Sequence, residues 1–336
     1  VTEIREKRLE EILKAMKGKK IAVLGDLMLD KYIWGSVQRI SPEAPVPVVE
    51  TEKEQARLGG AANVAKNIQA LGGQPILLGV VGKDSGGASL RELVRENNFE
   101  ESGIVVDPAR PTTVKTRIIA HEQHVARIDH ESKAEISTEI EDRILRIVES
   151  QIKKLDAIII EDYNKGMITR RLISRVIALA NRSQTIVNID PKFNNFFEYK
   201  NVTVFKPNRA ESEQALGARI LSEVDSIKAG KEMLRRLKAK NVLLTLGASG
   251  MTLFREHGAP IHVATKARSV ADVSGAGDTV IATLTLAMAA DASVLEAAAL
   301  ANYAGGIVCA SIGIVPVERA QLRTAVLTDN GAKEKS

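Results

Sequence analysis

The stretch Asp272-Val273-Ser274-Gly275-Ala276-Gly277-Asp278 is followed at once by an apolar run over 279–290. Its glycines, Gly275 and Gly277, permit a tight turn that brings backbone N–H groups, with that of Ala276 between them, against a ligand. The run behind them reads as a helix, so the turn ends at a helix N-terminus, where unpaired amides and the positive end of the dipole favour a phosphate. Asp278 would then stand beside that phosphate as an ionised carboxylate, a base next to an anion site. The other reading is a glycine-rich turn whose Asp caps a helix.

Further residues have types suited to polyols and phosphates. Gly59-Gly60-Ala61-Ala62-Asn63 opens a helix after Arg57-Leu58. Paired small residues allow close backbone approach, and Asn63 can donate and accept, which suits sugar hydroxyls; a plain helix start with an exposed Asn has the same pattern. Asp26 and Asp30, after the first strand, are acceptors for hydroxyls or simple turn residues. In Asn208-Arg209-Ala210-Glu211 the Asn-to-Glu spacing is also that of a capping box. Lys115, Arg117, Arg127, Lys165 and Lys192 fall at strand ends or in β-rich insertions, where Arg grips a phosphate with two prongs and Lys as a point charge; taken singly, each also reads as a solvated surface charge. His121, His124 and His130 lack a convincing third ligand, so no metal is expected there.

The elements that must position these groups alternate. Short β-rich runs at 21–25, 75–81, 157–160, 185–189, 202–205 and 242–246 are separated by helical patterns at 63–71, 89–97, 139–154, 171–181 and 227–238. This predicts an α/β fold with a mainly parallel sheet covered by helices on both faces, and ligands at the carboxyl ends of its strands. Two segments break the alternation, about 30–51 and 112–129, rich in Val, Ile and Thr. They read as a small antiparallel sheet set apart, either a lid or an edge extension. Nothing marks a second independent domain within 1–336.

Composition bounds the rest. The 336 residues are 44% apolar, ample for a core, and the net charge of +5 comes without the basic blocks of a nucleic-acid surface. Residues 1–20 suit an amphipathic helix and lack a signal-peptide pattern. The most apolar region, 279–309, is interrupted by Asp291, Ser293, Glu296 and Asn302, which suits two buried helices better than a membrane span. The one cysteine, Cys309, is expected to be a small core residue in a reducing compartment, the cytoplasm.

Taken together, Gly59 to Asn63 and Asp272 to Asp278 resemble the two signatures of the ribokinase family, the PfkB carbohydrate kinases, over nearly the whole chain. The resemblance implies a ribokinase-like fold with a β-sheet lid. It also implies phosphoryl transfer from ATP, with Asp278 as the base and the turn through Gly275, Ala276 and Gly277 as the anion hole. It assigns Asn208 to Glu211 to Mg²⁺ and the nucleotide phosphates through water. Thr245, Gly247 and Gly250 are assigned to the turn bordering the nucleotide, and Asn302 to the adenine. A monovalent-cation requirement stays open.

Gly25 to Tyr32, Arg39 to Val48, Asp162-Tyr163-Asn164-Lys165-Gly166 and Asp190-Pro191-Lys192 resemble more closely the D-glycero-D-manno-heptose 7-phosphate kinases of that family. The implied reaction makes the 1,7-bisphosphate on the route to ADP-heptose and the lipopolysaccharide core. Asp26, Gly59, Gly60, Asn63, Arg127, Asp162, Lys165 and Lys192 are the substrate residues expected on this basis. Many such kinases are fused to an adenylyltransferase; the polar tail 328–336 and the lack of a His-x-Gly-His motif lead to the expectation of the kinase alone, or the kinase piece of a longer protein. A homodimer through the lid sheets is also implied, since an exposed sheet edge favours a partner. A catalytically silent sugar or nucleotide sensor is the rival from another class.

Overall fold

The computed structural model describes residues 4–333 except 122, 268–272, 311–312 and 314, so Asp272 of the late motif lies outside the described residues. Helix α1 (Glu6–Ala15) is amphipathic as its periodicity predicts, burying Leu9, Ile12 and Leu13. After β1 (Lys20–Gly25) the chain runs straight into a second sheet through β2 (Leu27–Ile40) and β3 (Pro47–Gly60). It returns to the first sheet through α2 (Ala61–Ala70), β4 (Gln74–Gly82), α3 (Ser85–Glu96) and β5 (Ile104–Asp107). The second sheet is then completed by β6 (Thr113–Ala120) and β7 (Gln123–His130).

Helices and strands alternate from there through α4 (Thr138–Gln151), β8 (Ala157–Glu161), α5 (Arg170–Arg182), β9 (Ile186–Asp190) and β10 (Val204–Phe205). Next come α6 (Arg209–Leu216), α7 (Glu223–Leu237) and β11 (Asn241–Thr245), then the antiparallel edge β12 (Met251–Arg255) and β13 (Ile261–Val263). Helices α8 (Ala276–Ala289), α9 (Val294–Cys309) and α10 (Arg319–Lys333) close the described chain.

Among the described residues the first sheet has the order β13-β12-β11-β10-β9-β8-β1-β4-β5, parallel from β11 to β5. The period of two splits its side chains between two cores. Ile21 and Val23 pack with α1, α2, α8 and α9, while Ala22 and Leu24 pack with α4, α5 and α7. Burial on both faces is why these strands read as unbroken apolar runs. Helix α8 is apolar nearly all round because it too is buried, against α2, α9 and the sheet. From β1 the chain leaves toward β4 on one side, and β8 flanks β1 on the other. That reversal opens a crevice at the carboxyl ends of the strands.

The second sheet has the order β3-β2-β6-β7. It corrects the expectation of an antiparallel sheet confined to 30–51 and 112–129. Strands β2 and β6 pair in parallel, from Met28 opposite Thr113 to Gly35 opposite Ala120. The path allows it: β6 is reached only after a long excursion through β3, α2, β4, α3 and β5, and parallel neighbours need a crossover of that kind where a hairpin would give an antiparallel pair. No helix among the described residues is long and apolar enough to cross a membrane.

Candidate active site

The carboxyl ends of three adjacent segments converge on the N-terminus of α8. Glu161 ends β8, Asp190 ends β9, and Lys206 follows β10; all three are buried, as is Asp278 in the first turn of α8. One oxygen from each of Glu161, Asp190 and Asp278 lies within 4.8 Å of the other two. The Lys206 ammonium neutralises part of this cluster at 2.7 Å from Asp190 Oδ2. Burial alone would lower its pKa, but Asp190 and Glu211 hold it above the ordinary value. Neither oxygen of Glu161 has a hydrogen-bond partner among the described residues, and burial, with Asp190 and Asp278 beside it, pushes its carboxyl well up.

Asp278 is held from two sides. Asn63 on α2 donates from Nδ2 to Oδ2 at 2.7 Å, and the Tyr163 hydroxyl donates to Oδ1 at 2.7 Å. Burial raises the carboxyl's pKa; the two hydrogen bonds oppose that rise. A desolvated carboxylate held in one orientation, with its pKa raised, is suited to accept a proton from a hydroxyl. The turn before it needs Gly275, the N-cap of α8, which sits in the left-handed region at φ 76°. The Ala276 N–H is returned to the Val273 carbonyl at 3.2 Å. A Cβ on Gly277 would lie 3.7 Å from both Asp190 Oδ2 and Lys206 Nζ, so the turn faces the charged cluster.

This cluster forms one end of a cavity of about 500 Å³. Gly275, Ala276, Gly277, Asp278, Asp190 and Lys206 line the charged end; Thr245, Gly247, Ala248, Gly250 and Asn302 line the rest, with Gly305, Gly306 and Cys309 of α9. Cys309, expected in the core, is half-buried and lines this cavity, because α9 turns a face of small residues toward it. Asn302 spends its Nδ2 on the Ala264 carbonyl at 2.7 Å.

Asn208 and Glu211 reach the same cavity, while Arg209 and Ala210 between them are not among its lining residues. The capping-box reading of this pair holds as well. Asn208 accepts from the Glu211 N–H, Glu211 accepts from the Asn208 N–H, and the second Glu211 oxygen takes the Lys192 ammonium at 2.5 Å. With these oxygens already engaged, the pair suits a hydrated Mg²⁺ met through water better than direct ligation.

The expected acceptor residues divide. Asn63 serves the Asp278 carboxylate. Asp26 turns both oxygens to the backbone, accepting from the N–H groups of Tyr163 at 2.8 Å, Lys165 at 3.2 Å and Met167 at 3.4 Å. Asp162 points into the core, accepting from the Tyr199 hydroxyl at 2.6 Å. Gly59 and Gly60 are demanded by packing: a Cβ on Gly59 would strike Asp30 Oδ2, and one on Gly60, at φ 58°, the Asp26 carbonyl. Arg127 lies on exposed β7, paired with Asp129 at 2.9 Å. Lys165 pairs with Glu131 at 2.6 Å, and Lys192 lines the cavity.

The role of Asp26 can be measured. Burial, and secondarily Asp162, raise its pKa from 3.8 to about 6. The native carboxyl thus titrates above the unfolded one, so its contribution is fully present below about pH 4 and is lost as pH rises through about 6. Urea unfolding from pH 4 to 7 should show the wild type losing on the order of 2–3 kcal/mol that an Asp26→Asn variant does not lose. Parallel pH profiles for the two would assign the effect elsewhere.

The pattern of the pfkB family carbohydrate kinases matches residues 18–318. This chain belongs to that family. The kinase is 43% identical over 304 residues to the bifunctional protein HldE of Desulfatibacillum aliphaticivorans, covering 90% of this chain and 62% of that one. It is 43% identical over 324 residues to the HldE of Caulobacter vibrioides, covering 96% and 66%. It therefore spans about two thirds of the length of these curated relatives. Phosphofructokinase-2 of Escherichia coli, solved with potassium, superposes with a TM-score of 0.75 at 19% identity over 93% of this chain and 99% of that one. Ribokinase of Arabidopsis thaliana, solved with ribose and ATP, gives 0.73 at 18% over 92% and 99%. At those identities the likeness is one of fold.

Sequence reasoning gave no role to Glu161, Asp190, Lys206 or Tyr163, which surround Asp278. The available signal was position: each stands at or just after the carboxyl end of a parallel strand in a doubly wound sheet.

Proposed function

We infer that this carbohydrate kinase transfers the γ-phosphoryl group of ATP to the anomeric hydroxyl of D-glycero-D-manno-heptose 7-phosphate, giving the 1,7-bisphosphate used toward ADP-heptose and the lipopolysaccharide core. The observation that carries the chemistry is the buried Asp278 carboxylate, oriented by Asn63 and Tyr163 where the N-terminus of α8 meets the cavity. Asp278 takes the proton of the attacking hydroxyl, and the α8 turn with Lys206 meets the charge on the moving phosphoryl. Asn208 and Glu211 would hold a hydrated Mg²⁺, which would supply neutralisation of nucleotide charge when bound.

The heptose assignment is supported by the Gly25 to Tyr32 and Arg39 to Val48 stretches and by the HldE relatives. Lys115, Arg117, Lys165 and Lys192 are the cations near the site that a sugar phosphate would draw on, the last three by competing with Asp30, Glu131 and Glu211 for them, and the second sheet would act as a lid that keeps water from competing as acceptor. Exposed Ile40, Val46, Val125 and Ile128 on or beside that sheet support a homodimer through it, which light scattering would check. A reaction fed by ATP belongs in the cytoplasm. The deciding experiment sets D-glycero-D-manno-heptose 7-phosphate, ribose and fructose 6-phosphate side by side with ATP and Mg²⁺, with phosphorus NMR of the product. A 1,7-bisphosphate from the heptose alone is the expected result. Turnover of another sugar would replace the acceptor and keep the chemistry, and none at all would favour a silent sensor.

A further inference from the structure

Tyr163 sits in the loop after β8, and three observations bear on its function. Its hydroxyl donates to Asp278 Oδ1 at 2.7 Å. Its backbone is pinned, because the Asp26 carboxylate accepts its N–H and those of Lys165 and Met167 in the same loop. Two ammonium groups stand over its ring, Lys192 at 5.2 Å and Lys115 of the lid strand β6 at 5.6 Å. We propose that Tyr163 is a positioning residue for the base, its hydroxyl fixing the Asp278 carboxylate and keeping it ionised while its ring links that carboxylate to the lid. This rests on the reading of Asp278 as the base.

The chemistry is that of a permanent donor. Burial and the neighbouring Asp278 push the phenol well above its ordinary pKa, so it keeps its proton throughout the working range. A hydrogen bond from a neutral donor favours the charged form of a carboxylate, and this one opposes the upward push of burial on Asp278. Facing Asp278 are Tyr163 and Glu161 from the end of β8, Asp190 from β9, Lys206 from beyond β10 and, uncharged, Asn63 from α2. Tyr163→Phe removes the donor alone and leaves the ring beside its two lysines. Three of the four remaining neighbours are charged or ionisable and stay in place, so any shift in titration reports the lost hydrogen bond.

The test is carboxyl ¹³C NMR of aspartate-labelled protein, with the Asp278 signal assigned by its loss in Asp278→Asn, run beside pH profiles of kcat/KM with the heptose 7-phosphate and ATP. In Tyr163→Phe the Asp278 titration should move up by about one to two pH units, the scale of one hydrogen bond to a charged group. The acid limb of the kinetic profile should follow it, with KM for ATP little changed. Placing 3-fluorotyrosine at position 163, a stronger donor, should move both downward. An Asp278 signal that stays where it was in both variants would overturn the proposal. If Asp278→Asn retained wild-type turnover, the base assignment would fail instead, and the NMR shift would still report on the hydrogen bond.

Discussion

Asp278→Asn lowers turnover by at least ~10²-fold, the usual scale for removal of a general base, while leaving ATP binding nearly intact. The substitution is close to isosteric, and the site can absorb it. An amide oxygen turned to Asn63 Nδ2 keeps that hydrogen bond, and its NH₂ then meets the Tyr163 hydroxyl, which rotates to accept. What disappears is a basic lone pair beside the acceptor. The nucleotide contacts expected along Thr245, Gly247, Gly250 and Asn302 lie on other walls of the cavity. Turnover assays with calorimetric ATP titration separate the two effects, and a loss below tenfold would remove Asp278 from this role.

Lys206→Met is expected to destabilise the fold by about 3–5 kcal/mol at neutral pH, the range for stripping one partner from a buried ion pair. The Lys206 and Asp190 side chains are 4% and 6% exposed, and Asp190 shares its surroundings with Glu161 and Asp278. Without the ammonium, negative charge is left on side chains that are almost wholly buried, with no cation beside Asp190 Oδ2. The pH dependence has a definite sign. Glu161 is already pushed up by burial and its acidic neighbours, with Lys206 the first of the cations opposing them. Removing Lys206 pushes it further, so the stability deficit shrinks as pH falls. Urea unfolding of the single variant and of Lys206→Met/Asp190→Asn would check this. Recovery in the double variant is the expected result, and a deficit under about 1 kcal/mol, as for an exposed pair, would mean that Lys206 does not compensate the cluster.

The conformation of the candidate site was readable where it depends on local backbone. The Gly275 to Asp278 turn leads into α8 as its composition predicts, since a helix start and a left-handed glycine are decided within a few residues. Asn208 and Glu211 form the capping box that their spacing spells and also line the cavity. The acceptor side was less readable. Asp26 and Asp162 are carboxylates at strand ends, as expected of ligands, yet one holds a backbone loop and the other a core tyrosine. Nothing in the local sequence distinguishes a carboxylate that faces the crevice from one that faces inward.

The alternation of strands and helices, the parallel sheet with both faces covered and the glycine turn into α8 were legible in the residues themselves. Each follows from periodicity or from short-range backbone geometry. Tertiary structure alone decided that Asn63, Tyr163, Glu161, Asp190 and Lys206 meet around Asp278, because these residues are brought together from separate segments at the carboxyl ends of parallel strands. It also decided that β2 and β6 run in parallel, a consequence of the path the chain takes between them. Contacts between Asn63 and Asp278, 215 positions apart, depend on the order of strands in the sheet, and that order is a property of the packed whole.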